Sequence, residues 1–204
     1  MPDSAANHPP AGNPAPIPES PVPPAFLESR PELLILDVDG VLTDNTIWLD
    51  EEGREQKRFF VPDGTGIYLL GRVGIPVALV SGRPSGVVDA RARELRIDHA
   101  YSGVKEKLPK VKEIIATLGL SADRTVYMGD DWIDAAPMGF VGLPVAVGNA
   151  IPEIRDLAVA TTSRPGGSGA VREVCDWILR ARGDDVALRR EFLGDSRPGG
   201  DVAR

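Results

Sequence analysis

Residues 33–44 read LLILDVDGVLTD. A continuous apolar run that closes in two acids one residue apart has the look of a strand buried on both faces of a parallel sheet. The same pattern recurs downstream. PVALVSGR (76–83), RTVYMGDD (124–131) and LPVAVG (143–148) are apolar runs of strand length, and HAY (99–101) and AVATT (158–162) are shorter ones. Helical patterns lie between them, at Pro84–Leu95, Lys105–Leu118, Trp132–Met138, Pro152–Leu157 and Gly169–Arg182. In the second of these Leu108, Val111, Ile114, Ile115 and Leu118 share one face. Asp63 is expected to cap a further helix that runs through Ile67, Leu69 and Leu70 to Gly74. Strands alternating with helices imply an α/β fold with a doubly wound, mainly parallel sheet.

One segment breaks the alternation. NTIWLD and REQKRFF flank Asp50-Glu51-Glu52-Gly53, two strand-like runs around a turn with glycine where positive φ is tolerated, hence a β-hairpin insert over about residues 45–61. The hairpin is expected to expose Ile47, Trp48, Phe59 and Phe60. The remaining boundaries follow from composition. Ten of the 19 prolines fall within residues 1–31, which reads as a disordered leader, with PxxP docking as a secondary possibility. The domain proper spans 32–182, and 183–204 forms a C-terminal tail with one apolar pair, Phe192 and Leu193.

Charge and composition narrow the function. The chain has 204 residues, with Lys plus Arg 23 against Asp plus Glu 30, a formal charge of −7 and no basic patch. That balance argues against a nucleic-acid or anionic-membrane partner. Cys175 is the single cysteine, so neither an internal disulfide nor a cysteine-based zinc site is available. MPDSAANHPP lacks a basic start and an apolar stretch, and no window approaches the ~18 apolar residues of a membrane span. The expectation is a soluble, cytoplasmic protein.

In open α/β sheets ligands bind beyond the carboxyl ends of the strands. Those ends carry Asp37 and Asp39, Ser81-Gly82-Arg83, and Asp130-Asp131 with Asp134 three residues on. Lys107 opens a helix after another strand. Clustered carboxylates in a partly buried site need a cation, and an all-oxygen set selects Mg²⁺. A hydroxyl and an ammonium close by would hold phosphate oxygens and leave one carboxylate for attack, which is phosphoryl-transfer chemistry. Each motif alone has a plainer reading: DxD as a solvated turn, GDDxxD as helix capping, Ser-Gly-Arg as a turn, Lys107 as a surface charge. All four in this order, three of them at separate strand ends, favour the site. Gly166-Gly167-Ser168-Gly169 before the last helix reads either as an anion cradle or as a flexible turn.

The order of DVDGVLTD (37–44), Ser81, Lys107 and GDDWID (129–134) resembles the four motifs of the haloacid dehalogenase superfamily of aspartyl-phosphate phosphatases. Further likeness lies in the hairpin directly after DGVLTD, in FFVPDGTGI (59–67), SGRPS with Arg91 following, GVKEKL (103–108) and GGSGAVREVCD (166–176). These resemble the small-cap branch acting on 3-deoxy-D-manno-octulosonate 8-phosphate in lipopolysaccharide sugar synthesis, where a hairpin replaces the cap domain. The resemblance covers about residues 33–182 and neither tail.

It implies that Asp37 is the nucleophile and Asp39 the general acid, then base. Mg²⁺ would be held by the Asp37 carboxylate, the Asp39 backbone carbonyl and Asp130, with Asp131 and Asp134 supporting the metal shell or Lys107. Ser81, Gly82 and Lys107 would hold the phosphoryl group, and Arg83 suits a substrate carboxylate. A homotetramer is also implied. Pro62 departs from the pattern, standing where the family carries Arg or Lys. A nonulosonate 9-phosphate remains open as the substrate. So does a noncatalytic phospho-acceptor or regulatory module, though no site residue is missing and Asp39 has a role only if the phosphoryl group is hydrolysed.

Overall fold

The computed structural model describes residues 20–194. Its centre is β1 (Leu33–Leu36), whose four side chains are all buried. On one side β1 pairs with β4 (Val77–Val80), and β4 with β5 (His99–Tyr101). On the other it pairs with β6 (Thr125–Gly129), followed by β7 (Leu143–Ala146) and β8 (Ala160–Thr161). Every pairing in this sheet is parallel, as double burial of the apolar runs requires.

Register places the chemistry. Leu36 stands opposite Leu79 on one side and Met128 on the other. Asp37 follows Leu36 by one residue, and Ser81 and Asp130 follow Leu79 and Met128 by two, so three strands deliver their polar ends to one rim. The chain fills the β4 side of β1 first and then crosses to β6, which makes this rim the switch point of the strand order. Two helices that serve the site are α3 (Gly86–Glu94), capped by the Ser85 hydroxyl accepting from the Val88 amide at 3.3 Å, and α4 (Lys107–Leu118).

The hairpin consists of β2 (Trp48–Leu49) and β3 (Glu55–Gln56), with Gly53 at φ 75° in the turn. It exposes a different apolar set from the one expected. Trp48 is 55% and Leu49 62% exposed, whereas Ile47, Phe59 and Phe60 are half-buried. Phe59 packs against the core, and the Arg91 guanidinium lies 5.5 Å over its ring.

α2 (Val61–Arg72) starts three residues earlier than expected, with Pro62 in its first turn, where a fixed φ and a missing N–H cost nothing. Asp63 does not cap it. Its buried carboxylate accepts from the amides of Gly169 at 3.3 Å and Arg172 at 2.8 Å, at the start of α7 (Ala170–Arg182). Asp63 thus clamps α7 to α2. Burial pushes its carboxyl up to about 6, against the opposing pull of those amides, Arg172 and Arg164.

The glycine-rich segment before α7 packs closely on the rest of the domain. Its amides are used internally: Gly166 donates to Asn149 Oδ1 at 2.9 Å, Gly167 to the Val41 carbonyl at 3.0 Å, and Gly169 to Asp63. A Cβ on Gly166 would collide with the Gly40 carbonyl, so glycine lets this loop press on the DVDG turn.

The composition-based boundaries differ from the structure at both ends. Residues 24–29 form a helix, α1 (Pro24–Ser29), and Phe26 is fully buried against Trp177, ring centroids 5.6 Å apart. The Trp177 indole donates to Ser20 Oγ at 2.7 Å. Proline density hid this helix, because Pro24 opens it instead of breaking it. Past residue 182, α8 (Asp185–Leu193) packs on α7 and meets α2 through side chains, with Arg72 paired to Glu191 at 2.5 Å and Tyr68 edge-on to Phe192. The rest of the leader and the end of the tail lie outside the described residues.

Candidate active site

Asp37 leaves β1 with its amide still in the sheet ladder, donating to the Met128 carbonyl at 3.1 Å. The chain then turns sharply, with the amides of Val41, Leu42 and Thr43 all directed at the Val38 carbonyl. Gly40 takes φ 92°, and any Cβ there would strike the Asp130 carboxylate, so only glycine lets the β1 and β6 ends approach this closely.

Lys107 enters from the first turn of α4. Its ammonium lies 2.7 Å from Asp37 Oδ1 and 2.8 Å from Asp134 Oδ1, in a pocket where all three side chains are at most 3% exposed. Asp134 is engaged at both oxygens. Its Oδ1 also accepts from the Tyr127 hydroxyl at 2.7 Å, and its Oδ2 from the Asp130 amide at 3.0 Å. Asp134 therefore orients Lys107 and the Asp130 loop, with little left to offer a metal. Asp131, expected beside it, is exposed and caps the 3₁₀ turn Trp132–Asp134 by accepting from the Trp132 amide at 2.7 Å. Of that pair, only Asp134 reaches Lys107.

Carboxylate oxygens of Asp37, Asp130 and Asp134 lie within 4.8 Å of one another. Three acids against one ammonium leave an excess of negative charge in a dry place. Burial, reinforced by Asp134 and opposed by Lys107, pushes the Asp37 carboxyl up to about 8. Burial also pushes Asp130 up to about 7, with Asp134 and Asp131 adding to it. Lys107 moves up too, because the two carboxylates outweigh the opposite effect of its burial. Acids that resist ionising together are suited to a divalent cation, and Asp37 and Asp130 are the two with oxygen capacity to spare.

The acids open into a cleft of roughly 400 Å³, also lined by Asp39, Asn45, Gly82, Arg83, Lys105 and Ile133. Ser81 is buried at its edge, with its hydroxyl 3.3 Å from the Arg83 amide. Arg83 is half-exposed, its Nε 3.3 Å from Glu55 Oε1. The residues expected from strand ends thus converge on one cleft.

Sequence reasoning missed several others. Asn45, at φ 66°, donates to Asp130 Oδ2 at 3.3 Å. Tyr127 supports Asp134 from inside the sheet. Lys57 comes from the hairpin and pairs with Asp39 and, at 3.3 Å, with Glu55 Oε1. A signal for Lys57 was present: residues 55 and 57 of an extended strand share a face.

A family model for haloacid dehalogenase-like hydrolases matches residues 101–171. The 3-deoxy-D-manno-octulosonate 8-phosphate phosphatase of Yersinia pestis is 45% identical over 150 residues, 74% of this chain and 80% of that protein. Its crystal structure superposes with a TM-score of 0.77 at 42% identity, covering 78% of this chain and 88% of the other. The corresponding phosphatase of Moraxella catarrhalis, solved with magnesium ion, phosphate ion and KDO, gives a TM-score of 0.79 at 36% identity, covering 82% and 97%. With its motifs placed on the fold those relatives share, the chain belongs to the 3-deoxy-D-manno-octulosonate 8-phosphate phosphatase family of haloacid dehalogenase-like hydrolases.

Proposed function

We propose that this phosphatase hydrolyses 3-deoxy-D-manno-octulosonate 8-phosphate to the free sugar acid and phosphate through an aspartyl-phosphate at Asp37, with Mg²⁺ as cofactor. The observation that carries the proposal is the buried Asp37–Lys107–Asp134 arrangement at the mouth of β1, with Asp39 two residues on. Asp37 would attack phosphorus through a carboxylate oxygen. As the bond to the sugar oxygen breaks, its electron pair stays with that oxygen, which takes the proton of the Asp39 carboxyl. Asp39, now ionised, removes a proton from water as that water attacks the phosphoryl group, and Asp37 is released. Lys107 and Ser81 hold the phosphoryl oxygens throughout. Mg²⁺, held by Asp37, Asp130 and the Asp39 carbonyl, would neutralise the carboxylate excess and the charge on the phosphate.

Arg83 at the cleft rim is suited to the substrate carboxylate. Its present ion pair with Glu55 is half-exposed and therefore readily exchanged. We further propose a homotetramer in the cytoplasm; among the described residues no helix is long and apolar enough to cross a membrane. The deciding experiment is phosphate release from a panel of sugar phosphates that includes eight-carbon and nine-carbon 2-keto acids. The eight-carbon compound should give the highest kcat/KM. Preference for a nine-carbon acid would shift the substrate to the nonulosonates, and no release from any phosphate, with Mg²⁺ present, would leave a noncatalytic module.

A further inference from the structure

Lys57 is the hairpin residue that reaches Asp39. Its side chain is fully withdrawn from solvent, unlike most lysines, and its ammonium pairs with Asp39 Oδ1 and with Glu55 Oε1 at 3.3 Å. Glu55 is itself held from the main domain: its Oε2 accepts from the Ser85 hydroxyl at the cap of α3. Lys57 therefore stands on a support anchored to the main domain. It touches one oxygen of Asp39, and among the described residues the other oxygen, Oδ2, makes no hydrogen bond.

We propose that Lys57 is a positioning residue for Asp39, the anchor that holds this carboxyl in the rotamer from which its Oδ2 proton reaches the leaving oxygen. The inference rests on the phosphatase reading above. Asp39 is partly exposed on a turn, with its side chain 23% accessible, and without an anchor its carboxyl would be free to rotate into water. By holding Oδ1, Lys57 leaves Oδ2 as the oxygen that exchanges a proton with the leaving oxygen. When the phosphorus–oxygen bond breaks, that proton moves to the leaving oxygen as the electron pair arrives there. The hairpin thereby contributes to the chemical step and not only to covering the site.

The test uses the leaving group. A positioned acid matters greatly for an alcohol leaving group and little for nitrophenolate, which departs without a proton. The measurement is kcat/KM of the full-length chain with Mg²⁺ on nitrophenyl, chlorophenyl and phenyl phosphates and on a simple alkyl phosphate. This quantity reports transfer to Asp37 and is blind to later hydrolysis.

Lys57→Met should leave nitrophenyl phosphate within about threefold of wild type. It should lower the alkyl phosphate by about 100-fold, the lower end of what a general acid contributes, steepening the dependence on leaving-group basicity. Lys57→Arg, which keeps the cation, should recover part of the loss. Equal losses across the series, or no loss, would overturn the proposal, since a purely structural or phosphate-binding lysine would not change the slope. If Lys57→Met fails to fold by thermal melting, Lys57→Gln takes its place with the same criteria. Absence of turnover by wild type on every phosphate would instead refute the phosphatase reading.

Discussion

The Lys107 ammonium lies 2.7 Å from Asp37 Oδ1, with the two side chains 1% and 3% exposed. A pair this dry is strong only while both members are present, because the survivor of a deletion stays buried and uncompensated. Lys107→Met should therefore cost about 3 to 5 kcal/mol in metal-free buffer, read as a lower urea midpoint. Turnover should fall by at least about 100-fold, the scale of losing one preorganised charge at a reacting phosphoryl group. Unchanged stability would mean that the pair does not exist in solution.

Asp37 and the metal are tested together. Asp37→Asn keeps the shape and removes the nucleophile, so activity should drop by several orders of magnitude while thermal melting stays cooperative. Mg²⁺ at about 100 times its Kd should stabilise wild type by about 2.7 kcal/mol, roughly 5 to 10 °C in Tm for a chain of this size. The same addition should shift Asp37→Asn and Asp130→Asn much less, and excess EDTA should abolish turnover reversibly. Ca²⁺ should substitute poorly, since it favours more ligands and looser geometry. Full activity in EDTA would end the metal reading.

Asp63 gives a pH signature away from the metal site. Its carboxyl is raised from 3.8 to about 6 in the fold, so the folded state holds the proton more tightly than the unfolded chain. Its contribution is fully present below about 3.8 and is lost as pH rises through about 6, a change on the order of 3 kcal/mol. Asp63→Asn cannot titrate. Wild-type stability minus that of the variant should therefore fall between pH 4 and pH 6 and be flat above, measured by urea unfolding across the range. A difference that rises with pH would show that the two α7 amides, and not burial, dominate at this carboxylate.

The strand-end members of the cleft were legible because each closes an apolar run of strand length. Asp37, Ser81 and Asp130 needed only the rule that parallel strands present their carboxyl ends to ligands. Lys57 and Tyr127 were not legible in the same way, since one reaches back from an insert and the other points inward from mid-strand. Their roles depend on tertiary placement: strand alternation puts Lys57 on the same face as Glu55 but does not say what that face meets. Asp63 shows the opposite failure. A short acid before a helical pattern satisfied the capping rule, yet the carboxylate serves another helix over a hundred residues away. At the termini, proline content outweighed the single aromatic, Phe26, that binds residues 24–29 to the core.

The hairpin supplies the last prediction, on assembly. Its strands are two residues each, and a two-stranded ribbon is marginal in water without support. It is supported through Lys57, Glu55 and Phe59, yet Trp48 and Leu49 remain 55% and 62% exposed. At the cleft, Trp132 and Ile133 are 70% and 60% exposed, and Ile133 lines the opening. So small an insert cannot roof the cleft from within one chain, and water must be limited for phosphoryl transfer to Asp37 to outpace side reactions. Apolar surface at the hairpin tip and at the cleft rim is suited to contact between copies. A homotetramer should therefore give about four times the 21.8 kDa chain mass by sedimentation or light scattering. Trp48→Asp should dissociate it and lower kcat/KM on the sugar phosphate while each subunit still melts cooperatively. A monomeric wild type with full activity at assay concentration would refute the tetramer and leave the chemistry at Asp37 untouched.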